Sequence, residues 1–165
     1  PMVNYDRLIV SYNKRFYNDA NLVGIYAVKE TYDNKLLVFA LNFTFMMIQW
    51  ELYGISNLGE GAIKQNPIYF RNFVIFNPLL LGNEEEKLLT IFHTISTRPI
   101  HSIFTELGFD PNKPIREQEP NPLPDRKALD DIVFDALGLT EEERKEVYWA
   151  VAELVKTRLE KARSV

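Results

Sequence analysis

Nine residues in the first half of the chain are of the types that bind nucleic acids. Arginine and lysine neutralise phosphates, whereas asparagine and arginine can form hydrogen bonds with base edges. Glycine has no Cβ atom, so its backbone can approach a phosphate closely. All nine fall in segments whose composition is typical of turns and loops. The candidates for contact with a nucleic acid are therefore Asn13, Lys14, Arg15, Asn57, Gly59, Gly61, Lys64, Arg71 and Asn72.

The other chemistry-bearing residue types form no recognisable catalytic or metal-binding pattern. His93 and His101 are eight residues apart across a break at Pro99, so one helical face does not present both. The chain has no cysteine, which removes thiolate ligands and disulfides and suits a reducing compartment. We therefore expect no metal site and a cytoplasmic location.

The distribution of charge limits where a polyanion could bind. The formal net charge is −4, whereas a free-standing DNA-binding protein usually carries a basic field. Residues 1–80 hold seven Lys and Arg against six Asp and Glu, a net of +1. Residues 81–165 hold twelve against seventeen, a net of −5. A polyanion is therefore expected to contact the first half of the chain.

The elements that would hold the loops of the first half are predicted to be a small sheet and a long helix. Residues 7–12, 24–28 and 73–76 have the β-branched and aromatic content of strands. Residues 35–53 lack glycine and proline, and their apolar residues recur at steps of three and four, which predicts one buried helix. Its apolar run is shorter than the roughly 20 residues needed to cross a bilayer, so we expect no membrane association.

The second half of the chain is predicted to be helical. Five prolines mark residues 110–124 as an extended connector. Thr140 and Glu143 have the spacing of a capping box that starts the last helix. The predicted fold class is therefore α+β: a small mixed α/β layer with one long buried helix (1–80), followed by a C-terminal helical bundle (81–165).

Three segments carry a resemblance to a known family. They are residues 37–44, residues 51–64 with the Asn-Pro-terminated segment 73–78, and residues 125–140 with the closing stretch 158–164. In this order they resemble the C-terminal target-recognition region of adenine-specific (N6) DNA methyltransferases of restriction-modification systems. Phe43 is one departure, because the family commonly has serine there. The resemblance implies that residues 1–80 belong to a DNA-recognition part that binds duplex DNA.

The resemblance also implies that the chain does not transfer methyl groups by itself. The family binds the target base with an Asn/Asp-Pro-Pro-Tyr/Phe motif, which residues 66–69 imitate with Ile68 in place of the second proline. An asparagine-proline turn is the alternative explanation of these residues. No acidic-Phe-Gly-Gly cofactor loop precedes them, and a lone Gly-x-Gly at residues 59–61 carries little information. We therefore expect neither a cofactor nor an enzymatic activity.

A second function class is consistent with the same residues. The C-terminal helices are acidic and amphipathic, so the chain could be an interaction or assembly subunit that docks on a methyltransferase or nuclease partner. Under either hypothesis, a recognition part separated from its catalytic half should expose apolar surface.

Overall fold

The computed structural model describes residues 5–12, 24–25, 34–56, 61–77, 80 and 84–164, and within these ranges the protein is all-α. The predicted α+β fold is therefore wrong. Short 3₁₀-helices span Pro67–Asn72 and Ile115–Glu117. The described α-helices are α1 (Asn34–Asn42), α2 (Thr44–Tyr53), α3 (Glu85–Thr97), α4 (Ile103–Leu107), α5 (Pro124–Leu137) and α6 (Glu141–Arg163).

Two of the predicted strands are paired with side-chain amides instead of with other strands. The amide of Asn42 accepts from the Val10 N–H at 2.9 Å and donates to the Val10 carbonyl at 2.8 Å. Gln49 makes the same pair with Val74, at 2.8 Å and 2.9 Å. A primary amide offers the donor and the acceptor of one peptide group, so it satisfies the backbone of one residue in each segment. The third predicted strand, 24–28, lies mostly outside the described residues.

The predicted single helix over residues 35–53 is also wrong, because it is divided into α1 and α2 with a bend of 74°. Phe43 at the break has an extended backbone, with φ −61° and ψ 146°. The Thr44 N–H and hydroxyl donate to the Asp130 carboxylate at 2.8 Å and 2.6 Å. Arg126 Nη1 donates to the Asn42 carbonyl at 2.6 Å. Groups from α5 thus cap both new helix ends, and the break depends on a contact that is distant in sequence.

The bend also bears on whether the apolar run could enter a membrane. Among the described residues, no single helix is long and apolar enough to span a bilayer. Only α1 and α2 taken together reach that length and composition.

The second half of the chain is helical, as the sequence predicts. The predicted capping box is confirmed, since Thr140 Oγ1 accepts from the Glu143 N–H at 3.3 Å and Glu143 accepts from the Thr140 N–H at 2.8 Å. The connector is irregular apart from its short 3₁₀-helix. The sequence also predicts Asp125 as the N-cap of a helix, and this is wrong: α5 begins at Pro124, so Asp125 lies in the first turn and accepts from Arg98.

Two hydrophobic cores hold these helices together. The first combines Met47 of α2 with α4, α5 and α6, and the second combines Phe39 and Phe43 with α3 and α5. Both cores therefore draw on side chains from before and after residue 80. Glu51 near the end of α2 binds Arg158 near the end of α6, so the C-terminal ends of these two helices lie together.

Candidate nucleic-acid interface

The structure describes four of the nine predicted DNA-binding residues. Gly61, Lys64, Arg71 and Asn72 lie in a segment that passes the C-terminal ends of α2 and α6. The other predicted residues lie outside the described ranges; they are Asn13, Lys14, Arg15, Asn57 and Gly59.

Gly61 packs directly against α6. Its φ is +75°, a left-handed conformation that favours glycine. A Cβ atom at this position would lie 2.9 Å from Leu159 Cδ2 and 3.3 Å from the Ala162 Cβ. The Gly61 carbonyl also accepts a hydrogen bond from Arg158 Nη1. Packing alone therefore explains why this residue is a glycine, and its predicted approach to a phosphate stays a prediction.

Replacement of Gly61 by alanine tests this packing. Gly138 is a matched control, because its φ is +67° but a Cβ there would meet nothing within 4 Å. Gly138→Ala is expected to cost only the backbone strain, about 1–2 kcal/mol of the free energy of unfolding. Gly61→Ala should cost about 1–3 kcal/mol more, because it adds a steric clash. Urea denaturation of both variants measures the difference, and equal losses would contradict the packing.

The base of the Gly61 loop is fixed by backbone and side-chain hydrogen bonds. Ile55 and Lys64 form an antiparallel bridge with N–O distances of 2.8 Å and 2.9 Å. The Trp50 carbonyl near the end of α2 accepts the Gly54 N–H at 3.0 Å and also the Gln65 side-chain amide at 2.8 Å. Lys64 is therefore held beside the helix end, with its side chain half-exposed.

The following 3₁₀-helix exposes the next two predicted residues. Phe70 and Phe73 pack edge-on against Trp50, with ring centroids 5.1 Å and 5.3 Å away. This contact turns the segment so that Arg71 and Asn72 are exposed to solvent. These two side chains are therefore available to a ligand.

The motif at residues 66–69 is part of the same short helix. The Asn66 side chain accepts from the Ile68 N–H at 3.1 Å and caps the helix. Tyr69 is 40% exposed, and Ile68 is 58% exposed. The asparagine is thus engaged in the local turn, which agrees with the turn interpretation of this sequence.

Ion pairing separates the basic residues into two groups. Every lysine and arginine between residues 84 and 158 forms an ion pair with a carboxylate. Within the described part of the chain, the basic side chains that form no ion pair are those of Arg7, Lys64, Arg71, Lys161 and Arg163.

Lys161 and Arg163 are not among the predicted DNA-binding residues. They lie in the last turn of α6 on either side of Ala162, against which Gly61 packs. In the sequence, their basic side chains are accounted for by their position at a helix C-terminus, where positive charge is favourable. We call Lys64, Lys161 and Arg163 the cationic end.

Arg158 connects the cationic end to the rest of the protein. Its side chain is only 7% exposed and binds Glu51 at 2.7 Å and 2.9 Å. It also donates to the Tyr5 carbonyl at 2.6 Å and to the Gly61 carbonyl. One signal in the sequence could have indicated this contact: Glu51 is the one charged residue of the apolar α2, and a buried charge requires a partner.

A second charged cluster lies among α2, α3, α4 and α5. Arg98 binds Glu106 at 2.7 Å and Asp125 at 2.6 Å. Burial opposes ionisation of Glu106, but the hydrogen bonds from Arg98 and the charge of Arg126 outweigh it and lower its pKa. Complete burial raises the pKa of Asp130 to about 6. These groups are engaged with one another and with helix ends, so the cluster has a structural role.

The described residues include no group of three or more His, Cys, Asp and Glu that could hold a metal ion. Comparison of the chain with protein-family models, with curated proteins and with solved structures finds no match.

Proposed function

We propose that the chain is the DNA-recognition portion of an adenine-specific DNA methyltransferase or restriction-modification enzyme, acting in the cytoplasm. In this proposal it binds duplex DNA and does not catalyse methyl transfer itself. The observation that carries the proposal is that the basic residues between 84 and 158 form ion pairs, whereas Arg71 and the cationic end form none with described residues. The resemblance of three sequence segments to the target-recognition region of that family supports it.

The ion pairs reconcile an acidic protein with an anionic ligand. Between residues 84 and 158 the basic side chains are engaged by carboxylates of the protein itself. The cationic end and Arg71 lack such partners among the described residues, so their charge is available to phosphates. Binding would then depend on a local positive surface instead of the net charge of −4.

The exposed residues of the first half have distinct proposed roles. Arg71 and Asn72 carry donors and acceptors suited to base edges, and arginine can also bind phosphates. Lys64 has a point charge on a flexible side chain, which suits phosphate contact. Arg71 is the first residue to substitute, because its side chain is exposed and lies in a short helix held by Trp50.

Fluorescence anisotropy of a labelled random-sequence duplex tests the proposal. The wild-type protein is expected to bind at low salt and to weaken steeply as salt approaches roughly 200 mM, because phosphate contacts release counterions. Arg71→Ala should weaken binding and, if Arg71 contacts a phosphate, reduce the salt slope by about one unit. Lys87→Ala is the matched control, since Lys87 pairs with Glu84 at 3.2 Å and the charge lost is the same.

Absence of binding at low salt would overturn the proposal. It would favour the second candidate, an interaction subunit that docks on a methyltransferase or nuclease partner. The observation that favours this candidate is the exposure of large apolar side chains: Leu52 is 62%, Val74 is 72% and Leu80 is 69% exposed. The two functions are compatible if the partner is a catalytic half, in which case its addition should tighten DNA binding.

A further inference from the structure

The C-terminal half of α6 forms a wall of an open groove of about 730 Å³. Three apolar residues of α6 line it, Ala150, Leu154 and Ala162. The hydroxyls of Ser56 and Thr157 also line it, as does Lys161. Ser56 and Gly61 are the described residues on either side of the predicted DNA-binding residues Asn57 and Gly59. Both Ser56 and Gly61 lie beside the last turns of α6.

The other charges of the groove are neutralised within the protein. Glu51 binds Arg158 at 2.7 Å, and Glu153 binds Arg116 at 2.9 Å. These pairs remove two positive and two negative charges from the local balance. Lys161 is the one charge of the groove lining that forms no ion pair with a described residue. The groove lining therefore carries one positive charge, on Lys161, that no described carboxylate neutralises.

The charge at this helix end is larger than local structure requires. A helix C-terminus carries roughly half a negative charge, which one cation offsets. Lys161 and Arg163 supply two, so a positive surplus remains after the dipole is satisfied. The two side chains leave the helix about 200° apart, since successive residues are separated by about 100°. They cannot close around one phosphate, but they can contact separate phosphates of a strand that crosses the helix end.

We propose that Lys161 and Arg163 bind the phosphodiester backbone of the DNA duplex beside Gly61 and Lys64. This inference rests on the proposed DNA-recognition function and adds a second contact region, contributed by the C-terminal helical part. Because the contacts are to phosphates, they position the duplex and do not read its sequence. Arg158 is a positioning residue in this arrangement, since it binds the Gly61 carbonyl while Lys161 faces the groove.

The test compares two double variants in the same duplex titration. Lys161→Ala with Arg163→Ala removes the proposed contacts. Lys127→Ala with Lys145→Ala removes the same charge elsewhere, from lysines that pair with Asp131 and Glu119. Lys145 lies about 24 Å from Lys161 along α6, at a rise of about 1.5 Å per residue. The first variant should lower the slope of log K against log salt by about two units, and the control should leave it unchanged.

The outcomes distinguish the inference from the function on which it rests. If the wild type binds DNA and the Lys161/Arg163 variant keeps its salt slope, the inference is wrong while the proposed function stands. If the wild type does not bind at low salt, both are wrong. A loss that is equal for duplexes of unrelated sequence supports phosphate contact, whereas a loss confined to one sequence contradicts it. Circular dichroism of both variants should show unchanged helix content, because all four side chains are at least partly exposed.

Discussion

Arg158→Met should lower the free energy of unfolding by about 3–5 kcal/mol, the usual cost of removing one partner from a buried ion pair. The variant leaves Glu51 charged, and the side chain of Glu51 is only 3% exposed. It also leaves the carbonyls of Tyr5 and Gly61 without their donor. Three positions that are all far from α6 in the sequence would therefore lose their common contact with this helix.

Urea denaturation measures this loss, with Arg163→Met as the control because Arg163 lies five residues further along the same helix and is exposed. The control should change stability by less than about 0.5 kcal/mol. The double variant Glu51→Leu/Arg158→Met should be more stable than the sum of its single variants predicts, since it leaves no buried charge alone. If Arg158→Met were as stable as Arg163→Met, the buried contact described for Arg158 would not exist in solution.

Asp130→Ala should cause a comparable loss, also about 3–5 kcal/mol, because Asp130 acts at the break between α1 and α2. Its carboxylate accepts from the N–H and the hydroxyl of Thr44, and both residues are fully buried. Alanine would leave two buried donors without an acceptor, and it would remove a carboxylate near Arg126. Asp135→Ala is the control, because the Asp135 side chain lies in the same helix and is 68% exposed.

The pH dependence of stability provides an independent measurement for Asp130. Its pKa is raised from 3.8 to about 6 by burial, so between these values the folded state holds a proton that the unfolded state releases. The contribution of Asp130 to the free energy of unfolding is therefore greatest below about pH 4 and decreases as the pH rises to 6. Asp130→Asn removes this titration. As the pH rises from about 4 to 6, the wild type should therefore lose stability relative to the variant. Parallel pH profiles of the two proteins would contradict the raised pKa.

The sequence predicts the second half of the fold well because the determining signals there are local. Thr140 and Glu143 cap the start of α6 and are only three residues apart. Gly138 ends α5 because it adopts the left-handed conformation directly after the last helical residue. The first half fails because its signals act over long distances. Asn42 and Gln49 satisfy backbone segments 32 and 25 residues away, and Asp130 reaches across 86 residues to divide a helix. Apolar periodicity cannot detect such contacts.

The candidate interface likewise contains residues whose exposure the sequence predicts and residues whose role it does not predict. Arg71 and Asn72 follow an asparagine-proline turn, so their exposure could be predicted from the sequence. Lys161 and Arg163 have the same sequence character as the paired Lys156 and Arg158 in the same helix. Only the distances between side chains in the structure show which of these basic residues form ion pairs and which do not. A charge count along the sequence assigns the positive surface to the first half, whereas part of it belongs to the last helix.

The single amide pair between Gln49 and Val74 has a consequence for how this protein tolerates changes in length. In a sheet, a slip of one residue turns every side chain of a strand to the opposite face. Here the Gln49 amide pairs with one residue, so an inserted or deleted residue has no ladder to disrupt. The limits on length come instead from the neighbouring rings, because Phe73 packs against Trp50 and Phe76 packs against Phe43. Outside these two ring contacts the segment can vary in length while α2 and α6 keep their packing. In a helical scaffold of this kind, the surface segments can change in sequence and length while the packing of the helices stays the same.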